Sequence, residues 1–306
     1  MTAVDLKVKL GPLILKNPVL TASGTFGYGE EFSSLVDLNL LGGIVIKGIS
    51  LKPKAGNPPP RIVETPCGML NAVGLANIGL DAFLREKLPL LNKLDTTVIV
   101  NIYGHSIKEY GELAAGLRGI DGISAIEVNI SCPNVEQGGM AFGTDAKMSA
   151  RVTGEVVKKS DKPVIVKLSP NVTDIREIAT AVEDAGADAI SLINTLKGLA
   201  IDIENRVPKL ANISGGLSGP AIKPVALYMV RQVVKAVHIP VIGIGGIMDY
   251  RDALEFLIAG AMAIQVGTAN FVNPHATIYI IDGLREFCLE HGIMELEKII
   301  GTFKED

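Results

Sequence analysis

The chain predicts an α/β fold of the (β/α)8 TIM-barrel type, with a small N-terminal hairpin and inserted loops at the carboxyl-terminal face. Three observations carry this expectation. Short β-branched runs recur eight times, stretches with helical spacing separate most of them, and no strong domain boundary interrupts the 306 residues. Eight apolar strands alternating with helices point to a parallel sheet closed on itself. An open doubly wound sheet is the second reading. The whole chain, 1–306, is expected to be one domain, since barrels of this kind commonly run to ~250 residues or more.

The elements follow in order. "VDLKVKLGPLILKNPVLTAS" alternates and turns at Gly11-Pro12, so it reads as a hairpin leading into a strand. The strand runs are then "PVLTASG" (18–24), "GIVIKG" (43–48), "TVIVNIYG" (97–104), "AIEVNIS" (125–131), "PVIVKLS" (163–169), "ADAISLIN" (187–194), "IPVIGIGG" (239–246) and "MAIQVGT" (262–268). Between them, "DIREIATAVEDAG" (174–186) and "YRDALEFLIAG" (250–260) have helical spacing and end on glycine, the usual stop for a helix. The proline-rich "KPKAGNPPPRIVETPCG" (52–68) is too long for a connector and reads as an excursion on the upper rim.

Composition narrows the function. The hydrophobic fraction of 48% supplies a large core, and the net charge of −4 with no basic block argues against nucleic acid. No apolar run approaches the ~20 residues that span a bilayer. The alternating N-terminus has no continuous apolar stretch of the kind a signal peptide carries, so a cytoplasmic protein is expected. Cys67, Cys132 and Cys288 form no CxxC pair and are one short of the four thiolates a usual iron–sulfur cluster takes. His105, His238, His275 and His291 are scattered and read as surface or helix-end residues, so no metal site is expected.

The strand ends carry the chemistry. Five of the apolar runs finish in Lys47, Asn101, Asn129, Lys167 and Asn194, and the last two finish in Gly245-Gly246 and Gly267-Thr268. Any one of these, taken alone, is an ordinary loop lysine or turn-forming asparagine. In a barrel, however, all the carboxyl ends of the strands meet at one face, so the set converges on one pocket. The glycine-rich loops after the seventh and eighth strands suit a phosphate held by backbone N–H groups, with "SGGLSGPAI" (214–222) adding donors. Amides suit a ring with alternating donors and acceptors, and a lysine suits an electron-rich heterocycle or a carboxylate. A flavin with an anionic heterocycle fits this pattern. So does a phosphosugar with a Schiff-base lysine, and pattern alone does not choose between them.

The set "NISCPN" (129–134) with "QGG" behind it, "NAVGLAN" (71–77), "VKLSPN" (166–171), "INT" (193–195) and "GIGGI" (243–247) resembles dihydroorotate dehydrogenase, from about Asn17 to Phe271. The resemblance implies an FMN enzyme that oxidises (S)-dihydroorotate to orotate in pyrimidine (UMP) synthesis. The cysteine form of "NISCPN" is similar to the soluble class. "CPNVEQGGMAFGTD" is similar to the NAD-linked subclass, whose catalytic subunit forms a homodimer and adds FAD/[2Fe-2S] subunits in a heterotetramer.

Carried over by motif, Cys132 is the base. Ser23, Gly24, Lys47, Gly48, Asn101, Asn129, Lys167, Ile193, Gly219, Gly245, Gly246, Gly267 and Thr268 hold FMN. Lys47, Asn71, Ala72, Val73, Gly74, Leu75, Asn129, Asn194 and Thr195 hold substrate. Gly138, Gly139 and Gly143 suit a closing lid. Cys288 reads as core filler, and Cys67 has no evident role. The rivals are the fumarate-linked class, a sister flavoenzyme for another dihydropyrimidine, a Schiff-base aldolase or lyase, and a barrel that only scaffolds a partner.

Overall fold

The computed structural model describes residues 4–131 and 142–305. Eight parallel strands close into a barrel: β1 (Val19–Thr21), β2 (Gly43–Val45), β3 (Thr97–Ile102), β4 (Ala125–Asn129), β5 (Val164–Lys167), β6 (Ala189–Leu192), β7 (Val241–Ile244) and β8 (Ala263–Val266). Each pairs with its neighbour in sequence, and β8 returns to β1 with Ile264 opposite Val19. All eight fall within the runs expected from sequence. Parallel strands need a crossover on the outside of the sheet, which is why they are buried on both faces and read as continuous apolar runs.

The crossovers include helices Ile107–Leu117, Ala146–Lys159, Ile175–Asp184, Lys223–Ala236 and Tyr250–Ile258, with Ala276–Glu290 after β8. Several begin on a side chain that satisfies free backbone N–H groups of the first turn. Ser106 accepts from Glu109, Asp145 from Met148, Asp174 from Arg176, and Asp249 from Arg251 and Asp252. Cys288 is fully buried in Ala276–Glu290, as core filler should be. Among the described residues, no helix is long and apolar enough to cross a membrane.

The N-terminal hairpin forms as expected, with Val8–Leu10 against Leu13–Leu15 across the Gly11-Pro12 turn. The excursion after β2 is more regular than the sequence suggested. Ile62–Thr65 and Gly68–Asn71 form a hairpin that joins Leu196–Leu199 and Ser214–Ser218 in a four-stranded antiparallel sheet. This sheet has its own small core of Leu70, Ala72 and Leu210, apart from the large cluster inside and around the barrel. Within "SGGLSGPAI" (214–222), Ser214–Ser218 is thus a strand of the sheet, and Ser218, Gly219 and Ile222 line the cleft described below.

Candidate active site

The barrel interior holds a polar layer at its upper end. Glu127, on β4, is completely buried. Its Oε1 accepts from Ser191 Oγ of β6 at 2.8 Å and from Gln265 Nε2 of β8 at 2.6 Å. Its Oε2 accepts from Asn101 Nδ2 of β3 at 2.6 Å and lies 3.9 Å from Lys167 Nζ of β5. β4 and β8 stand on opposite sides of the closed sheet, so the bond to Gln265 crosses the lumen. A buried carboxylate is tolerated only when its oxygens are hydrogen-bonded and its charge is met, and this one has three donors and a cation.

Lys167 itself is 4% exposed and donates to Ser23 Oγ at 3.3 Å, which ties the end of β5 to the loop after β1. Asn129, at the end of β4, accepts from Ser131 N and, at 3.4 Å, from Asn194 Nδ2. Its carbonyl accepts from Tyr110 Oη at 2.7 Å. Asn194 in turn accepts from Thr195 N. Two strand-end residues 65 positions apart are thus hydrogen-bonded to each other.

Beside this layer a cleft is lined by Ser23 and Lys167, by Ile193, Asn194 and Thr195, and by Gly219, Gly245, Gly246, Gly267 and Thr268. Thr268 Oγ1 donates to Ser218 Oγ at 2.8 Å, so the loops after β6 and β8 meet there. Gly246 has φ +71°, and a Cβ on it would stand 2.8 Å from Lys223 N. A side chain is excluded on both grounds, and the backbone lies directly against the start of Lys223–Ala236.

The segment Asn71–Leu75 forms a lip over the mouth. Asn71 Nδ2 donates to Gly216 O at 3.4 Å, Ala72 N to Arg61 O and Asn57 N to Val73 O. The far end is clamped from below: Leu75 O accepts from Asn77 Nδ2 at 2.9 Å and from Tyr103 Oη at 3.0 Å, and Asn77 also bonds Ser50. Gly216 has no room for a Cβ, which would lie 2.0 Å from Thr195 Oγ1. The small sheet therefore presses against the residues at the end of β6.

Ten of the expected residues share the cleft. Gly24, Lys47, Gly48, Asn101, Asn129 and 71–75 lie outside its lining; Asn129 is bonded to Asn194 of the lining, and Asn71 to Gly216, which abuts Thr195. Among the described residues, the polar groups of this set without a protein partner include Asn101 Oδ1 and the Lys47 ammonium. Asn101 Oδ1 is buried and unbonded, under Gly48, whose Cβ would meet it at 2.6 Å. Lys47 is half-buried, and its ammonium makes no hydrogen bond or ion pair among the described residues. A free acceptor and a free cation at a barrel mouth suit a ligand with N–H donors and an anionic group.

Cys132, Gly138 and Gly139 lie outside the described residues. Gly143 is buried, donates to Ile130 O at 2.8 Å and so is held against the end of β4. Glu127, Ser191 and Gln265 are site residues that strand-end reasoning missed. The signal was the letter itself, since a glutamate inside "AIEVN", a run buried on both faces, is out of place unless paired.

A closed parallel barrel whose carboxyl-terminal mouth gathers a buried lysine, amides and a glycine-lined recess defines a ligand-binding barrel enzyme. The profile of the Dihydroorotate dehydrogenase family matches residues 5–288, and the chain belongs to that family. Its relatives are named dihydroorotate dehydrogenase B (NAD(+)), catalytic subunit. One from Geotalea daltonii is 59% identical over 304 residues, covering 99% of this chain and 100% of the relative. One from Desulforamulus reducens is 60% identical over 299 residues, covering 98% of each. One from Geobacter sulfurreducens is 58% identical over 304 residues, covering 99% and 100%.

Proposed function

We propose that the protein oxidises (S)-dihydroorotate to orotate in pyrimidine synthesis, with FMN seated at the barrel mouth and NAD+ as the final acceptor. The observation that carries this reading is the convergence of Ser23, Lys167, Ile193–Thr195, Gly245-Gly246 and Gly267-Thr268 in one cleft, in a chain of this family. FMN fits the residues present: the phosphate end against Gly219, Gly245-Gly246 and Gly267-Thr268, and the polar edge of the ring against Lys167, Asn129 and the unbonded carbonyl of Asn101. Ser23, Gly24, Gly48 and Ile193 complete its surroundings.

When bound, the flavin supplies the hydride acceptor. The rest is done by the chain. Lys47 balances the substrate carboxylate, and Asn71 to Leu75 close over it. Asn129, Asn194 and Thr195 orient the ring, as their shared hydrogen bonds already place them side by side. Cys132, three residues beyond Asn129, takes the proton from C5 as general base. Amides aimed at the carbonyl side stabilise the charge that develops there.

Electrons leave to a partner subunit carrying FAD and a [2Fe-2S] cluster, in an assembly built on a homodimer of this chain. The relatives' name, catalytic subunit of an NAD(+) enzyme, supports a separate partner subunit and NAD+ as acceptor. The test is Cys132→Ala. It is expected to keep its flavin and lose turnover by about 10²–10⁴-fold, the usual contribution of a general base. Near-normal turnover removes Cys132 from the mechanism. Assays of NAD+ and fumarate, with and without the co-expressed partner, settle the acceptor; turnover with fumarate alone assigns the chain to the other class.

A further inference from the structure

We propose that Glu127 is a positioning residue: it is the buried counter-charge of Lys167, fixing that ammonium at the cleft and holding down the reduction potential of the flavin seated there. The inference rests on the proposed function for the identity of the ligand. Its warrant is the division of labour between the two carboxylate oxygens. Oε1 is anchored by Ser191 and Gln265, neither of which lines the cleft, while Oε2 faces Asn101 and Lys167. The carboxylate is thereby held by one side and presented to the ligand-facing residues with the other.

Lys167 hangs between Glu127 Oε2 at 3.9 Å and Ser23 Oγ at 3.3 Å, and both Lys167 and Ser23 line the cleft. No other carboxylate among the described residues lies within ion-pair distance of it. Both charges are almost wholly removed from water, with side-chain exposures of 5% for Lys167 and 0% for Glu127, so their fields are weakly screened. An apolar side chain of similar volume would fill the lumen without the desolvation cost of a carboxylate. What the carboxylate adds is charge.

An unopposed ammonium near an electron-accepting ring would stabilise its reduced form. A carboxylate beside that ammonium opposes this, so the bound flavin gives up electrons more readily. That is the direction needed when electrons must pass on to a nicotinamide, a weak oxidant. Asn101 shares in the arrangement, because donating its amide N–H to Glu127 leaves its carbonyl unbonded at the mouth.

The experiment uses the full chain reconstituted with FMN and reads the two-electron midpoint potential by dye-coupled reduction, alongside a thermal melt. Glu127→Gln keeps the shape and removes the charge. It is expected to shift the reduction equilibrium toward the reduced form by about tenfold, ~30 mV for a two-electron couple. Glu127→Asp keeps the charge but shortens the side chain and leaves a gap. It is expected to shift in the same direction by less.

A purely structural role orders the two variants the other way, with the cavity-forming aspartate worse than the isosteric glutamine. Wild-type potential in a folded, FMN-bound Glu127→Gln overturns the inference and leaves the proposed function standing. If that variant does not fold, Glu127→Asp decides, and an unshifted potential there overturns it. A wild-type chain that takes up no FMN refutes the proposed function and this inference together.

Discussion

The floor and the roof of the site are built on opposite principles. The floor is the upper layer of a closed parallel barrel, in which each strand has two neighbours and the one buried carboxylate described above is answered from other strands. Glu127 alone draws donors from β3, β6 and β8. The roof is an antiparallel sheet of four short strands from two distant insertions, with a core of three buried residues and an exposed apolar fringe at Ile62, Leu199 and Ile213. Closure removes edges and fixes positions, whereas an open sheet keeps edges and the freedom that goes with them. The residues proposed to hold the flavin stand mainly on the floor, and most of those proposed to hold the substrate belong to the roof or touch it. The lasting ligand has the rigid support and the exchanging ligand the softer one.

The largest test of this contrast is a pair of core truncations. Ile264→Ala, on the barrel seam, is expected to cost about 2–5 kcal/mol in urea unfolding. Leu210→Ala, in the roof, should cost well under half as much globally and act instead on substrate affinity. Equal losses of global stability would mean that the two regions are one cooperative unit.

Next in size is Gly216→Val. Its side chain must displace Thr195, so KM should rise at least ~10-fold, about 1.4 kcal/mol, while bound flavin is retained. Loss of flavin from this variant would break the division between floor and roof.

The smallest effect lies away from both. The Arg176 guanidinium beside Asp174 lowers that carboxyl from 3.8 to about 2. Because the folded value is depressed, the pairing contributes stability above the unfolded value and loses it as pH falls toward the folded one. Asp174→Asn keeps the helix cap and removes the charge. The small difference in urea midpoint between it and the wild type should be full at pH 6 and close between about pH 4 and 2. A constant difference would assign the effect to the cap.

The same contrast explains what could be read from the sequence. The eight strands were legible because burial on both faces writes them as β-branched runs. The strand-end residues were legible because barrel topology gathers them. The roof was not, because its key pairing sets Met69 opposite Ser218 and Asn71 opposite Gly216, and "SGGLS" has none of the side chains that mark a strand. Glu127 was hidden for a different reason. Its partners lie on four other strands, and only the closed cylinder shows that Gln265 reaches it across the lumen. The network of Ser50, Asn77 and Tyr103 that clamps the lip was equally invisible, since each residue alone is unremarkable.

The pairing of Ile264 with Val19 means that the two sides of the seam are 245 positions apart. During synthesis β1 emerges early and then waits. At ~5–20 residues per second its open edge stays unpaired for roughly 12–50 s before β8 exists to cover it. In a growing chain, that edge is the part of the molecule most in need of shelter from other chains, and it is the part that, once folded, is no edge at all.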